Sequence, residues 1–151
     1  MQLPPCGLYR TTAQIGPIVE GKLVFFHNHG NPGPGIYLPT AWKNNRVQIS
    51  GQGTILPGPE YMKYLEPLPP EGFYRVTEAF YCCEKRCRSF EPETLVQLGY
   101  NGDAEPILFL PEIVDGLLAV PERGNRIERR SLERLKLLRV RTSERGNQVE
   151  H

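Results

Sequence analysis

The chain has 151 residues, of which 15 are Gly and 15 are Pro, so about a fifth of its positions interrupt regular structure where average usage gives about an eighth. That proportion excludes a coiled coil or a plain helical bundle, and 39% hydrophobic against 23% charged residues is enough to build a core. The formal net charge of +1 excludes a strong general attraction to nucleic acid or anionic membrane, but residues 1–122 carry 9 Lys and Arg against 13 Asp and Glu while residues 123–151 carry 9 against 4.

The start, Met1-Gln2-Leu3-Pro4-Pro5-Cys6, has no basic region and no apolar run, and no window of eighteen apolar residues occurs anywhere. Neither a secretory signal nor membrane insertion is expected. A cytoplasmic, reducing setting is the expectation, in which four cysteines are free or metal-bound rather than paired.

The first strand expected is Gly7-Leu-Tyr-Arg-Thr-Thr12 and the second Leu23-Val-Phe-Phe26, both β-rich and bounded by Gly or Pro. After a turn with His29-Gly30 at its tip, strands are expected at Gly35-Ile-Tyr-Leu-Pro39, Arg46-Val-Gln-Ile49 and Gly53-Thr-Ile-Leu56. Pro59-Glu-Tyr-Met-Lys-Tyr-Leu65 then reads as one or two helical turns begun at a proline, whose missing N–H is harmless there. Asn101-Gly102 is the strongest short-range hairpin signal, because a two-residue type I′ turn needs positive φ at both centres.

The chain also repeats itself. Gly7-Leu-Tyr-Arg-Thr-Thr12 returns as Gly72-Phe-Tyr-Arg-Val-Thr77, an offset of 65, and Leu23, Val24, Gly30, Pro34, Leu38 and Pro39 return as Leu95, Val96, Gly102, Pro106, Leu110 and Pro111, an offset of 72. Two further blocks follow in the same order: Arg46-Val-Gln-Ile49 with Leu117-Leu-Ala-Val120, and 62–68 with 132–138. The fold expected is therefore mainly β: a tandem duplication of a small five-stranded SH3-like barrel, arranged as a pseudo-two-fold pair, with short helical turns at the end of each unit. Its parts are an N-terminal lead over 1–6, unit A over 7–68, a Pro-rich linker over 69–71, unit B over 72–140 and a polar tail over 141–151. The jump in offset places an insertion of seven residues early in unit B, where three cysteines lie.

Those cysteines, Cys82, Cys83 and Cys87, suit structural zinc, which takes four tetrahedral ligands. Cys6 completes the set if the two first strands run antiparallel across the dyad. Free thiols packed as small apolar groups are the plain alternative, and a redox role would fall on Cys87, where Arg86 and Arg88 would favour a thiolate. His27 and His29 share one face of a strand and form a second candidate metal pair that lacks a third ligand. Gly30-Asn-Pro-Gly-Pro-Gly35 is no phosphate loop, because Pro32 and Pro34 have no N–H to offer.

Two binding surfaces are expected. Tyr37, Trp42, Tyr61 and Tyr64 suit a peptide groove on a small barrel. A short helix beginning near Ser131 would set Leu132, Leu135 and Leu138 on unit B and turn Arg126, Arg129, Arg130, Arg134, Arg139 and Arg141 outward, toward an acidic protein or a phosphate backbone. No nucleophile elbow, zinc-protease, phosphate-loop or dinucleotide motif is present. The functional expectation is a non-enzymatic protein-interaction or scaffold module whose partner is another protein. The alternative is a zinc-binding or nucleic-acid-binding module using the cysteines and residues 123–145.

Overall fold

The structure is a computed structural model that describes residues 3–29, 34–49, 51 and 53–143. Most of the Gly30–Gly35 turn and the end of the polar tail lie outside the described residues.

The chain is mainly β, in several antiparallel sheets. Among the described residues sixteen strands follow in order: β1 (Gly7–Thr11), β2 (Leu23–His27), β3 (Gly35–Tyr37), β4 (Pro39–Lys43), β5 (Arg46–Ile49), β6 (Thr54–Ile55), β7 (Leu65–Pro67), β8 (Gly72–Val76), β9 (Phe80–Tyr81), β10 (Ser89–Phe90), β11 (Leu95–Tyr100), β12 (Pro106–Phe109), β13 (Glu112–Val114), β14 (Leu117–Ala119), β15 (Asn125–Arg126) and β16 (Leu135–Leu137). Two five-stranded sheets run β6-β3-β2-β1-β7 and β15-β12-β11-β8-β16. Their registers correspond: Gly7 faces Phe26 as Gly72 faces Leu98, and Phe25 faces Tyr37 as Gln97 faces Phe109. In β1 and β8 the alternate residues Tyr9, Thr11, Tyr74 and Val76 are buried, the period of two that a half-covered sheet imposes.

Neither sheet closes into a barrel, which corrects the expectation of closed units. Closure would need β6 to pair with β7, and β15 with β16. β6 and β15 are two residues long, and in each sheet a 3-10 helix, Pro59–Tyr64 or Arg129–Arg134, stands between them and the last strand. The second helix starts at Arg129 and gives way to β16 at Leu135, so it is shorter than the sequence suggests. Leu132 and Leu135 nevertheless pack on the second core, as the spacing implies.

Each sheet covers its own apolar cluster. Tyr9, Ile15, Val24, Phe26 and Ile36 centre the first, and Tyr74, Val76, Phe90, Leu98, Tyr100 and Leu108 the second. β2 serves both: Val24 faces the first cluster, while Leu23, pointing the other way, is 0% exposed within the second. The segment before β8 is clamped rather than loose, since the Tyr74 and Tyr100 hydroxyls donate to the carbonyls of Pro70 (2.6 Å) and Pro69 (2.7 Å). Burial pushes the Tyr74 phenol up to about 12.

The β4–β5 ribbon crosses to the second sheet. Its tip, Asn44 (φ 52°) and Asn45 (φ 65°), has positive φ at both centres, the requirement of a two-residue type I′ turn. Trp42 Nε1 donates to the Tyr100 carbonyl (2.8 Å), Asn45 Nδ2 to Gln97 Oε1 (2.9 Å) and Gln97 Nε2 to the Asn44 carbonyl (3.2 Å). The buried Gln97 amide is thus bonded at both ends, as burial of a polar group demands. The matching ribbon β13–β14 turns at Asp115 and Gly116 (φ 51° and 79°) and lies open to solvent. Asn101-Gly102, by contrast, is not a two-residue turn: Tyr100 pairs with Pro106, and the Asn101 side chain accepts the N–H groups of Asp103 and Glu105 (both 3.0 Å) across a longer loop.

Glu71 closes the ribbon's seat, accepting the Val47 N–H at 2.9 Å. Burial raises its carboxyl above the usual range, against the lowering effects of Val47 and Arg46. The folded chain then holds that proton more tightly than the unfolded chain, so this group's contribution is most favourable below the unfolded pKa and weakens as pH rises through the folded one. Glu71→Gln keeps an acceptor and cannot ionise. Its melting temperature relative to wild type should climb between about pH 4 and pH 7, and a difference that stays flat or shrinks contradicts this account.

Candidate metal centres

The seven-residue insertion folds as a small two-stranded excursion. Phe80 and Phe90 stack with centroids 5.0 Å apart and anchor β9 to β10 on the second core. The corresponding stretch of the first sheet is shorter and closes on an Ile15–Ile18 bridge. Within the excursion the Cys82 N–H donates to the Arg88 carbonyl (2.9 Å) and the Arg86 N–H to the Cys83 carbonyl (2.9 Å). Arg86 takes a positive φ of 54°, and this curl brings the three thiols round to one point.

Cys82 is buried, Cys83 half-buried and Cys87 exposed, and all three are free thiols. Their sulfurs lie within 4.8 Å of one another, with Cys82 and Cys83 at 3.7 Å. A tetrahedral zinc with bonds of about 2.3 Å holds two sulfurs about 3.8 Å apart, so this spacing suits a shared ion. The Cys83 thiol is lowered, first by the Lys85 N–H and then by the Cys82 thiol, and Cys87 is raised, first by the negative charge on Cys83. Of the two, Cys83 is thus the more readily ionised, not the arginine-flanked Cys87. Arg86 is engaged elsewhere, its guanidinium 5.0 Å from the centre of the Tyr81 ring.

Cys6 does not join these three. It stands beside His27 and His29 at the end of the first sheet, and those three donor atoms form a second group within 4.8 Å. The register explains the placement: Gly7 pairs with Phe26, and one step further along the ladder sets Cys6 across from His27.

The expected binding residues disperse. Tyr61 and Tyr64 meet edge-on at 5.6 Å and pack on the first core, Tyr37 lies beside His27, and Trp42 is committed to Tyr100. They form no common groove. The arginines do face outward, but Arg126, Arg129, Arg130 and Arg134 each have a carboxylate within 4.0 Å, from Glu105, Glu66, Glu128 and Glu78 respectively. Such exposed pairs contribute little stability, yet they offset the local positive charge. Arg139 and Arg141 are exposed. Asn28, which holds Cys6, and the apolar ribbon β13–β14 carry no motif that singles them out; of the two, only the ribbon has a local cue, its Asp115-Gly116 turn between apolar pairs.

No helix among the described residues is long and apolar enough to cross a membrane. Comparison with known protein families, curated proteins and solved structures gives no match.

Proposed function

We propose that the chain is a non-enzymatic interaction module of two repeated SH3-like units, the second stabilised by zinc held on Cys82, Cys83 and Cys87. The observation that carries the reading is the convergence of three free thiols within 4.8 Å in a loop that has no counterpart in the first sheet. Zinc supplies there what the short, mostly polar loop between β9 and β10 lacks, a cross-link that fixes its path. The repeat is supported by the shared strand order, the corresponding registers and the 3-10 helix before each last strand. A protein partner is supported by the β13–β14 ribbon, where Ile113, Leu117 and Leu118 are 70%, 73% and 60% exposed, an apolar cluster of the kind that marks contact surfaces.

Protein purified without chelator is expected to carry zinc at this centre, and chelation to lower the melting temperature by several degrees. Less than about a tenth of an equivalent, with melting unchanged by chelator, would remove the zinc reading.

A further inference from the structure

We infer that Cys6, His27 and His29 form a second zinc site, of a different kind from the thiol centre, with three protein ligands and an open fourth position. Cys6 Sγ lies 3.6 Å from His27 Nδ1 and 3.8 Å from His29 Nδ1. A tetrahedral zinc with a bond of about 2.3 Å to sulfur and about 2.0 Å to nitrogen sets those atoms about 3.6 Å apart. Both separations are therefore those of atoms sharing one ion, and both imidazoles turn the same nitrogen toward the sulfur.

The surroundings fix this geometry. Asn28 donates its backbone N–H to Cys6 Sγ at 3.3 Å and its side-chain amide to the Pro4 carbonyl at 3.1 Å, tying the lead segment to the end of β2. Asn28 Oδ1 accepts from the Cys6 thiol at 3.2 Å and lies 2.9 Å from His29 Nδ1, two contacts that an ion would replace, because a ligating thiolate and a ligating Nδ1 carry no proton. Through its backbone N–H to the Cys6 sulfur and its amide to Pro4, Asn28 is a positioning residue that acts on Cys6.

The two sheets differ at this corner. In the second sheet the positions matched to Cys6, His27 and His29 are Glu71, Gly99 and Asn101. There Glu71 binds the ribbon's Val47 N–H, and a side chain on Gly99 would begin 2.8 Å from the Asn45 carbonyl. That corner is a seat for the β4–β5 ribbon. In the first sheet the same corner has imidazole where Gly99 admits backbone, and a thiol where Glu71 binds an N–H. Cys6 and His29 are exposed, which leaves the fourth position to water, the pattern of zinc sites with an exchangeable ligand rather than closed structural ones.

This site stands independently of the thiol centre, and one titration separates them. Full-length protein, reduced and stripped of metal, is titrated with cobalt(II), whose sulfur-to-metal charge-transfer and ligand-field bands report tetrahedral coordination, and then displaced with zinc. Two equivalents are expected for wild type and one for Cys6→Ser, whose exposed side chain makes a folding defect no explanation. Cys83→Ser/Cys87→Ser should also bind one, and Asn28→Ala should weaken the second equivalent by about tenfold or more. If Cys6→Ser and His29→Ala both bind as many equivalents as wild type, the second site is refuted. If instead the double cysteine variant loses nothing while Cys6→Ser loses its equivalent, the second site stands and the thiol centre falls.

Discussion

Leu23→Ala is expected to destabilise the whole chain by about 2–5 kcal/mol, the range for deleting a fully buried leucine side chain and leaving its cavity. The residue is fully buried, and its strand belongs to the first sheet while its side chain belongs to the second core. Its N–H also donates to the Gly102 carbonyl at 3.0 Å, so backbone and side chain both cross to the second sheet. Loss of the isobutyl group should therefore be felt where the mutation is not. Hydrogen exchange of the β8 and β11 amides is expected to speed up as much as that of β2. Ile36→Ala, confined to the first cluster, serves as the control, with its effect concentrated in the first sheet. Acceleration limited to the first sheet in Leu23→Ala would contradict the shared role of β2.

The second large effect is expected at Gly99. A side chain there would begin 2.8 Å from the Asn45 carbonyl oxygen and 3.3 Å from Phe109. The first of these is backbone in a tight turn, which cannot swing aside as a flexible side chain would. Gly99→Val should cost about 1–3 kcal/mol or more through overpacking, and the strain is relieved by lifting the ribbon away. Trp42 is the only tryptophan, and its indole N–H bonds the Tyr100 carbonyl, so its fluorescence reports on how the ribbon is seated. Emission should shift to the red and become more accessible to iodide in Gly99→Val. Unchanged emission together with unchanged melting would show that the ribbon is not seated as described.

Much of the fold is legible in the sequence because turns and strand composition are local. The Gly-Leu-Tyr-Arg and Leu-Val-Phe-Phe segments became β1 and β2, and Pro59 opens a helical turn where a proline can. The matched offsets of 65 and 72 reappear as matched registers. What escaped depends on partners distant in the chain. Asn101-Gly102 has the composition of a type I′ turn, but the Asn101 side chain stabilises a longer loop, whereas Asp115-Gly116, equally well formed for such a turn and flanked by Ile113-Val114 and Leu117-Leu118, took it. The placement of Cys6 needed the β1–β2 register, since residues 21 positions apart become neighbours only once Gly7 is set against Phe26. The arginines read as one basic stretch because their carboxylate partners, Glu105, Glu66 and Glu78 among them, come from elsewhere in the chain. Cys87 looked activated by its neighbours in sequence, but in space it lies beside Cys83, whose negative charge acts in the opposite sense.

The two ribbons also give the molecule a direction. One is a plug already in its socket; the other, β13–β14, is a plug held out into solvent. The socket's essential feature is the missing side chain at Gly99, and the first sheet fills that position with His27. The first sheet therefore has no counterpart of the opening through which Gly99 admits the β4–β5 turn.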